Sequence, residues 1–290
     1  MRATTAGVGL DVVTSETGQN AERMGERVGI GRTAEVFAWG ADRVVKLLLP
    51  GFPDEIGEAE AAAAALVGAN LEPAPRFFGS TRIDGRYGLI YQRLDGPSML
   101  DRVSSRPWLM RRYARDFGLL HARMHERDGA GLPDAKGRLG RAIERAGGLL
   151  PAAAMEAALQ RLAIMPDGTA VCHGDMHPGN VIITRAGLAV IDWQTTVSGP
   201  AAADVARSLF LIRDSAIPVE IGRPQRDLIQ WLRRRFAVRY LRQYMRRRPI
   251  DKHEVELWRL PILVARLSEG ISIEKPNLLT LIGQELAATR

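Results

Sequence analysis

Cysteine is almost missing from this chain: Cys172 stands alone among 290 residues. A single thiol cannot close an internal disulfide, and such sparing use fits a reducing compartment. Long apolar runs are also missing, with nothing near the ~20 residues needed to cross a bilayer. The first residues hold one Arg and then Ala, Thr, Gly and Ser, without the apolar centre of a secretory signal. These absences lead to the expectation of a soluble, cytoplasmic protein with no membrane partner. The segment 233–248, RRRFAVRYLRQYMRRR, combines eight arginines with no acidic residue. Without its eight arginines the formal charge of +7 falls to −1. The body of the chain is therefore not basic, and nucleic acid is not the expected partner. No internal repeat is visible.

What is present is ordinary globular material, 46% hydrophobic and 25% charged, enough for one large domain or two lobes. Residues 1–22 lack periodicity and read as a flexible polar tail. Glu35–Trp39 and Arg43–Leu47 flank Gly40-Ala41-Asp42 in the grammar of a hairpin. An Ala-rich run after Pro53, acidic at its start and closed by Gly68, predicts a helix. Strands follow over 76–79 and 87–93, parted by an Asp84-Gly85 turn. Asp95-Gly96-Pro97 marks a boundary. Beyond it, helices are expected near 107–127, 137–147, 151–163, 201–213, 224–246 and 251–268. The interruption is 170–194, where apolar runs bracket the octapeptide HGDMHPGN at 173–180.

That loop carries the chemistry. Asp175 and Asn180 lie five residues apart, and Asp192 follows at the far end of a short hairpin, so Asn180 and Asp192 converge. One neutral carbonyl and one carboxylate is a usual protein contribution to a Mg²⁺ shell. Asp175 stands nearby to accept a proton. The spacing matches the H-R-D-x-x-x-x-N and D-F-G elements of protein kinases. Upstream, Gly29-Ile30-Gly31-Arg32-Thr33-Ala34 is a glycine loop between strands, whose small residues let backbone amides approach phosphate. A dinucleotide fingerprint would need a helix after it, whereas a hairpin follows, and no Walker A sequence exists. Lys46 ends the Val44-Val45 run in the manner of V-A-I-K, and either Glu58 or Glu60 is placed to pair with it, Glu60 being favoured.

Bland readings accompany these. His173 and His177 are read as buttresses of the loop. His121 and His125, four apart on a helix, imitate a metal pair, but no third ligand is evident and a packed helix face is preferred. Asp175 and His177 form D-x-H without the further motifs of a metallophosphoesterase. Cys172 reads as a small buried hydrophobe, and Asp204 as a cap or a brace for the loop.

Together HGDMHPGN, Ile191-Asp192-Trp193, Gly29–Ala34, Lys46 and Gly199-Pro200…Asp204 resemble the aminoglycoside phosphotransferase family, over roughly residues 25–270. The resemblance implies an α+β, bilobal, protein-kinase-like fold. Residues 23–95 would form a nucleotide-binding N-lobe with a small β-sheet, and 96–290 a helical C-lobe with catalytic loop and substrate site. It implies Asp175 as the base, Asn180 and Asp192 as Mg²⁺ ligands, and Lys46 backed by Glu60 on the phosphates. Backbone groups of Gln92 and Leu94 would meet the purine, with Tyr91 limiting the depth behind it. ATP is the implied co-substrate, with GTP open, and the acceptor a hydroxyl of a small molecule. The carboxylates Asp251, Glu254, Glu256, Glu269 and Glu274 could suit a polycationic antibiotic, though many Arg share their region; a neutral or anionic metabolite is equally expected. The rival reading is a nucleotide-binding regulatory module whose Arg-rich helix contacts a polyanion such as RNA or phospholipid. Oligomeric state is left open.

Overall fold

The computed structural model describes residues 24–70, 74–218 and 220–288, so the tail expected over 1–22 lies outside the described residues. The chain divides into two compact units, one up to Asp95 and one from Gly96 onward.

The first unit is a five-stranded antiparallel sheet with one helix. Strands β1 (Met24–Ile30), β2 (Ala34–Trp39), β3 (Arg43–Leu48), β4 (Phe77–Ile83) and β5 (Arg86–Gln92) line up in the order β1-β2-β3-β5-β4. Alternation along β3 decides its two faces. Val45 and Leu47 join Trp39 and Ile83 in one apolar cluster. Val44 falls on the other face, where Ala64, Leu89 and Tyr91 form a second cluster. Ala64 belongs to helix α1 (Asp54–Asn70). That face is the one on which Lys46 stands.

The second unit is mostly helical. Helices α2 (Met99–Ser105), α3 (Met110–Met124), α4 (Ala135–Arg145) and α5 (Ala152–Ile164) precede the loop region. There β6 (Ala170–Cys172) pairs with β9 (Val197–Gly199), and β7 (Val181–Thr184) with β8 (Gly187–Val190). Helices α6 (Ala201–Leu209), α7 (Arg223–Arg247), α8 (Lys252–Leu257), α9 (Arg259–Leu267) and α10 (Lys275–Ala288) complete it. The α3 and α7 axes approach closely at Gly118, where a Cβ would come within 2.6 Å of the Tyr240 carbonyl oxygen. Phe117 meets Phe236 and Tyr240 edge-on beside this crossing.

Three departures from the sequence reading have physical causes. The helix expected over 251–268 breaks at Trp258, between α8 and α9. Pro261 lacks an N–H and its ring opposes the carbonyl four residues back, at Leu257. The helix expected over 201–213 widens after Leu209 into a π-turn, Phe210–Asp214. Side chains take up carbonyls there: Gln230 donates to Arg213 and Asn277 to Asp214. Finally, α2 and α10 fall where no helix was expected. For α2 a signal existed: Ser98 caps it, accepting from the Asp101 amide at 3.0 Å.

Candidate active site

In the first unit the candidate residues centre on an ion pair. Lys46 Nζ lies 2.8 Å from each oxygen of Glu60, whose side chain is buried. Glu60, Ala63, Ala64 and Val67 recur at i, i+3, i+4 and i+7 and form the buried stripe of α1. Glu58 lies two positions off that stripe and is exposed, so the pairing left open by the sequence falls to Glu60. Tyr91 donates from its hydroxyl to Glu60 Oε1 at 3.1 Å. Its phenol therefore helps set the carboxylate that sets the lysine.

The glycine loop is tighter than its sequence suggests. The Gly31 amide donates to the Ala34 carbonyl at 2.8 Å, and Leu49 donates to the Thr33 carbonyl. Gly29 lies within β1, opposite Val36. Neither glycine has a left-handed φ, and a Cβ on either would make only ordinary contact. The Gly31 amide is thus turned onto its own hairpin, while Arg32 and Thr33 occupy the tip. The Gln92 amide is likewise taken, donating to the Arg76 carbonyl at 2.8 Å. That leaves its carbonyl, with the backbone of Leu94, as the polar groups of the segment after β5.

In the second unit the candidate residues centre on the octapeptide and its supports. The β7–β8 hairpin pairs Val181 with Val190, and Ile191 donates to the Asn180 carbonyl at 3.0 Å. This register brings Asn180 and Asp192 together, as the spacing predicts. Asn180 Nδ2 donates to the Asp175 carbonyl at 2.9 Å and approaches its Oδ2 at 3.3 Å. Asp192 has φ 66° and ψ 64°, a left-handed conformation rare for a side-chain-bearing residue. Next to it, Trp193 is buried against the His173 ring and donates to the Val190 carbonyl.

His173 is the buttress the sequence suggested. Its Nε2 donates to the Ile191 carbonyl at 3.0 Å and its Nδ1 accepts the Asp175 amide at 3.2 Å. Burial lowers its pKa, which keeps the ring neutral in this tautomer. Gly174 has φ +77°, and a Cβ there would meet the Thr195 carbonyl oxygen at 2.6 Å. Only glycine fits.

Asp204 holds the loop from behind. Its Oδ2 accepts the His173 amide at 2.7 Å, and its Oδ1 the Gly174 amide at 2.9 Å. Oδ2 also accepts from Nε2 of His121 and of His125, at 3.1 and 3.2 Å. The opposite ring nitrogens meet the hydroxyls of Tyr240 (2.8 Å) and Tyr244 (2.6 Å). Asp204 is therefore the third group that sequence reasoning did not find beside His121 and His125. The donor atoms lie within 4.8 Å of one another. Both imidazole Nε2 atoms are engaged as N–H donors, so the set works as a hydrogen-bond network rather than a lone-pair donor set.

Arg207, on the same helix as Asp204, was not foreseen at all. Its Nε donates to the Gly174 carbonyl at 3.2 Å, and its Nη2 lies 3.9 Å from Asp175 Oδ1. Glu269 anchors that guanidinium at 2.6 Å. Burial pushes the Asp175 carboxyl upward, but the His177 side chain, with Nε2 3.6 Å away, and the charge of Arg207 outweigh it. The carboxyl is held well below the usual range, and Asp175 is ionised.

A five-stranded antiparallel sheet carrying a buried Lys–Glu pair, followed by a helical unit with this Asp–Asn–Asp loop, defines a protein-kinase-like phosphotransferase fold. The family model described as "Phosphotransferase enzyme family" matches residues 25–258, and the chain belongs to that family, APH. No curated protein matches it. Among solved structures it is similar to an aminoglycoside-3'-phosphotransferase of type VIII, at 18% identity and TM-score 0.59, covering 81% of this chain and 90% of that one. An amicoumacin kinase, solved with AMP-PNP and Ca2+, is similar at 12% identity and TM-score 0.59, with 92% and 89% covered. A choline kinase from Cryptosporidium parvum Iowa II is similar at 13% and 0.57, with the same coverage. Among the described residues no helix is long and apolar enough to cross a membrane.

Proposed function

We propose that this phosphotransferase moves the γ-phosphate of ATP or GTP to a hydroxyl of a small neutral or anionic molecule. The observation that carries the reading is the clamped loop, in which an ionised Asp175 sits 3.3 Å from the Asn180 amide, with Asp192 brought alongside by the hairpin. In the reaction the bond from the γ-phosphorus to its bridging oxygen breaks and a bond to the acceptor oxygen forms. The hydroxyl proton passes to Asp175. Lys46, oriented by Glu60 and Tyr91, is assigned to the phosphates. Positioning and charge account for most of the acceleration in such transfers.

The residues fit a hard divalent cation. Asn180 Nδ2 is engaged by Asp175, which leaves Oδ1 as the free end of the amide, and Asp192 adds a carboxylate. Bound there, Mg²⁺ would neutralise charge on the phosphate oxygens.

The acceptor's charge follows from its surroundings. Glu269 and Glu274 could have received a polycation, but Glu269 pairs with Arg207 and Arg266, and Glu274 with Arg266. Carboxylates already matched by guanidinium groups leave little net attraction for a cationic substrate. The test is a panel of neutral, anionic and cationic hydroxyl compounds with Mg-ATP and Mg-GTP, products read by mass. Phosphorylation confined to neutral or anionic members is expected. Turnover of aminoglycosides alone would overturn the charge assignment, and phosphorylation of none would overturn the activity.

Arg207 gives a pH prediction. Asp175 works as a carboxylate, so activity is present above its depressed pKa and lost as pH falls through it. Arg207→Met removes a charge that lowers this pKa. The acid limb of kcat/KM should then begin at higher pH than in the parent enzyme, and an unmoved limb would remove Arg207 from this role.

A further inference from the structure

Helix α7 turns two unlike faces outward and inward. Inward lie Phe236, Ala237, Tyr240 and Tyr244, all buried. Arginines at the margin of that face are tied down: Arg233 donates to the Ser215 carbonyl, Arg226 to Pro218, and Arg247 pairs with Glu126. On the outward arc, successive positions 228, 231, 235, 238, 242 and 246 are Leu, Trp, Arg, Val, Arg and Arg, apolar toward the start and cationic toward the end. Leu228, Trp231 and Val238 are 57%, 52% and 61% exposed. Arg234, Arg235, Arg239, Arg242 and Arg246, gathered on one helix, have no carboxylate partner among the described residues. The helix has one acidic residue, Asp227, in its first turns.

A groove of about 380 Å³ runs along this arc, between α7 and the start of α3. Met110, Trp231 and Val238 give it apolar lining, and Arg111, Arg235 and Arg242 give it cationic lining. Arg235 lies over the Trp231 ring at 4.7 Å. Arg239, also at the groove, has a buried Nε with no acceptor. The row spans about 27 Å at 1.5 Å per residue.

We infer that the outward face of α7 is a docking surface for anionic phospholipid, on which the chain lies peripherally. Three observations select this occupant. The uncompensated arginines demand an anion, which excludes a second copy of the same cationic face. The interleaved Leu228, Trp231 and Val238 suit acyl chains and the headgroup boundary, as in amphipathic helices that lie in a membrane interface. Nucleic acid would use the arginines and could stack on Trp231, but it offers nothing to exposed aliphatic side chains. Such contact differs from spanning, for which no helix among the described residues is long and apolar enough. It goes beyond the expectation that membranes play no part, which rests on run length alone.

The test is co-sedimentation of the full chain with sucrose-loaded vesicles of equimolar phosphatidylcholine and phosphatidylglycerol, beside pure phosphatidylcholine vesicles and single-stranded RNA. Binding to the anionic vesicles is expected, weakening as salt rises, with a blue shift in tryptophan emission that Trp231→Phe diminishes. Arg235→Glu with Arg242→Glu should reduce the partition coefficient by about a hundredfold. The charge-matched pair Arg141→Glu with Arg145→Glu, exposed on α4, should retain it. Trp231→Ala, which alters no charge, provides a second reading if the double reversal fails to fold, and it too should weaken binding. Equal binding to neutral vesicles, no binding to anionic ones, RNA binding in their place, or an equal loss in the α4 control would each overturn the inference.

Discussion

Asp175→Asn is expected to lower phosphoryl transfer by about two to four orders of magnitude, the range general-base groups supply, while leaving nucleotide affinity within a few-fold of the parent. The substitution is nearly isosteric. Asn keeps an oxygen that can still accept from Asn180 Nδ2, and the backbone bond from Asn180 to the residue-175 carbonyl does not depend on the side chain. The His173, Gly174 and Asp204 supports involve main-chain groups that the change does not touch. What is lost is the negative charge that would receive the acceptor's proton. Titration calorimetry with nucleotide and turnover on an acceptor from the panel separate the two effects. Lys46→Ala should show the opposite pattern, weakening nucleotide handling first. Retained turnover in Asp175→Asn would end the assignment of Asp175 as base, and lost nucleotide binding would recast the residue as a structural part of the loop.

The parts of this site legible in the sequence are those set by local spacing. Asp175, Asn180 and Asp192 are joined by one short hairpin, so counting residues along 173–192 is nearly a measurement of distance. The hairpin over 35–47 and the position of Lys46 were legible for the same reason, because strand alternation has period two and needs few residues to declare itself. The choice between Glu58 and Glu60 leaned to Glu60 but was not decided. Helix α1 is so rich in alanine that its sequence carries little amphipathic contrast, and only the packed structure shows which stripe faces the sheet. Asp204 sits 83 positions from His121, and the contact depends on how α3, α6 and the loop pack, which no periodicity encodes. Arg207 was missed for a similar reason: on α6 it reads as a surface arginine, three residues after Asp204, until the loop is folded beneath it.

The sequence also left the meaning of its charge unresolved. Five carboxylates after residue 250 could have been a polycation site. In the folded chain, the two nearest to Arg207 and Arg266 are neutralised by them. A row of unmatched arginines lies elsewhere, on the outward face of α7. One sum over the chain therefore conceals two local balances, a compensated one linked to Asp175 and an uncompensated one on an outward helix face.

Asp204→Ala should destabilise the chain by about 3–5 kcal/mol, the cost of removing one partner from a buried charged network. Four donors meet this carboxylate: two backbone amides and two imidazole N–H groups. All lose their acceptor in a site without solvent access, and each unsatisfied buried donor costs about 1–3 kcal/mol before relaxation. The loop that carries Asp175 hangs from two of them, so activity and stability should fall together. Urea unfolding would report the loss, and a variant within about 1 kcal/mol of the parent would show that the network is not what holds the loop. The same network predicts an acid-sensitive fold. Burial, assisted by the neighbouring His121, holds His125 at about 4, below its ordinary 6.5, against the opposing pull of Asp204. The unfolded chain therefore binds a proton that the folded chain refuses between those values, so this contribution is complete above about 6.5 and declines as pH falls toward 4. The shift corresponds to about 3 kcal/mol. Asp204 itself is held well below the carboxylate range by the two imidazoles acting against its burial, so its own contribution is lost only at lower pH, as pH falls below the ordinary carboxylate value. The two windows barely overlap, which makes them separable. His125→Gln should flatten the stability profile between pH 6.5 and 4 while leaving the steeper loss at lower pH, and an unchanged profile would mean that His125 is protonated in the folded state.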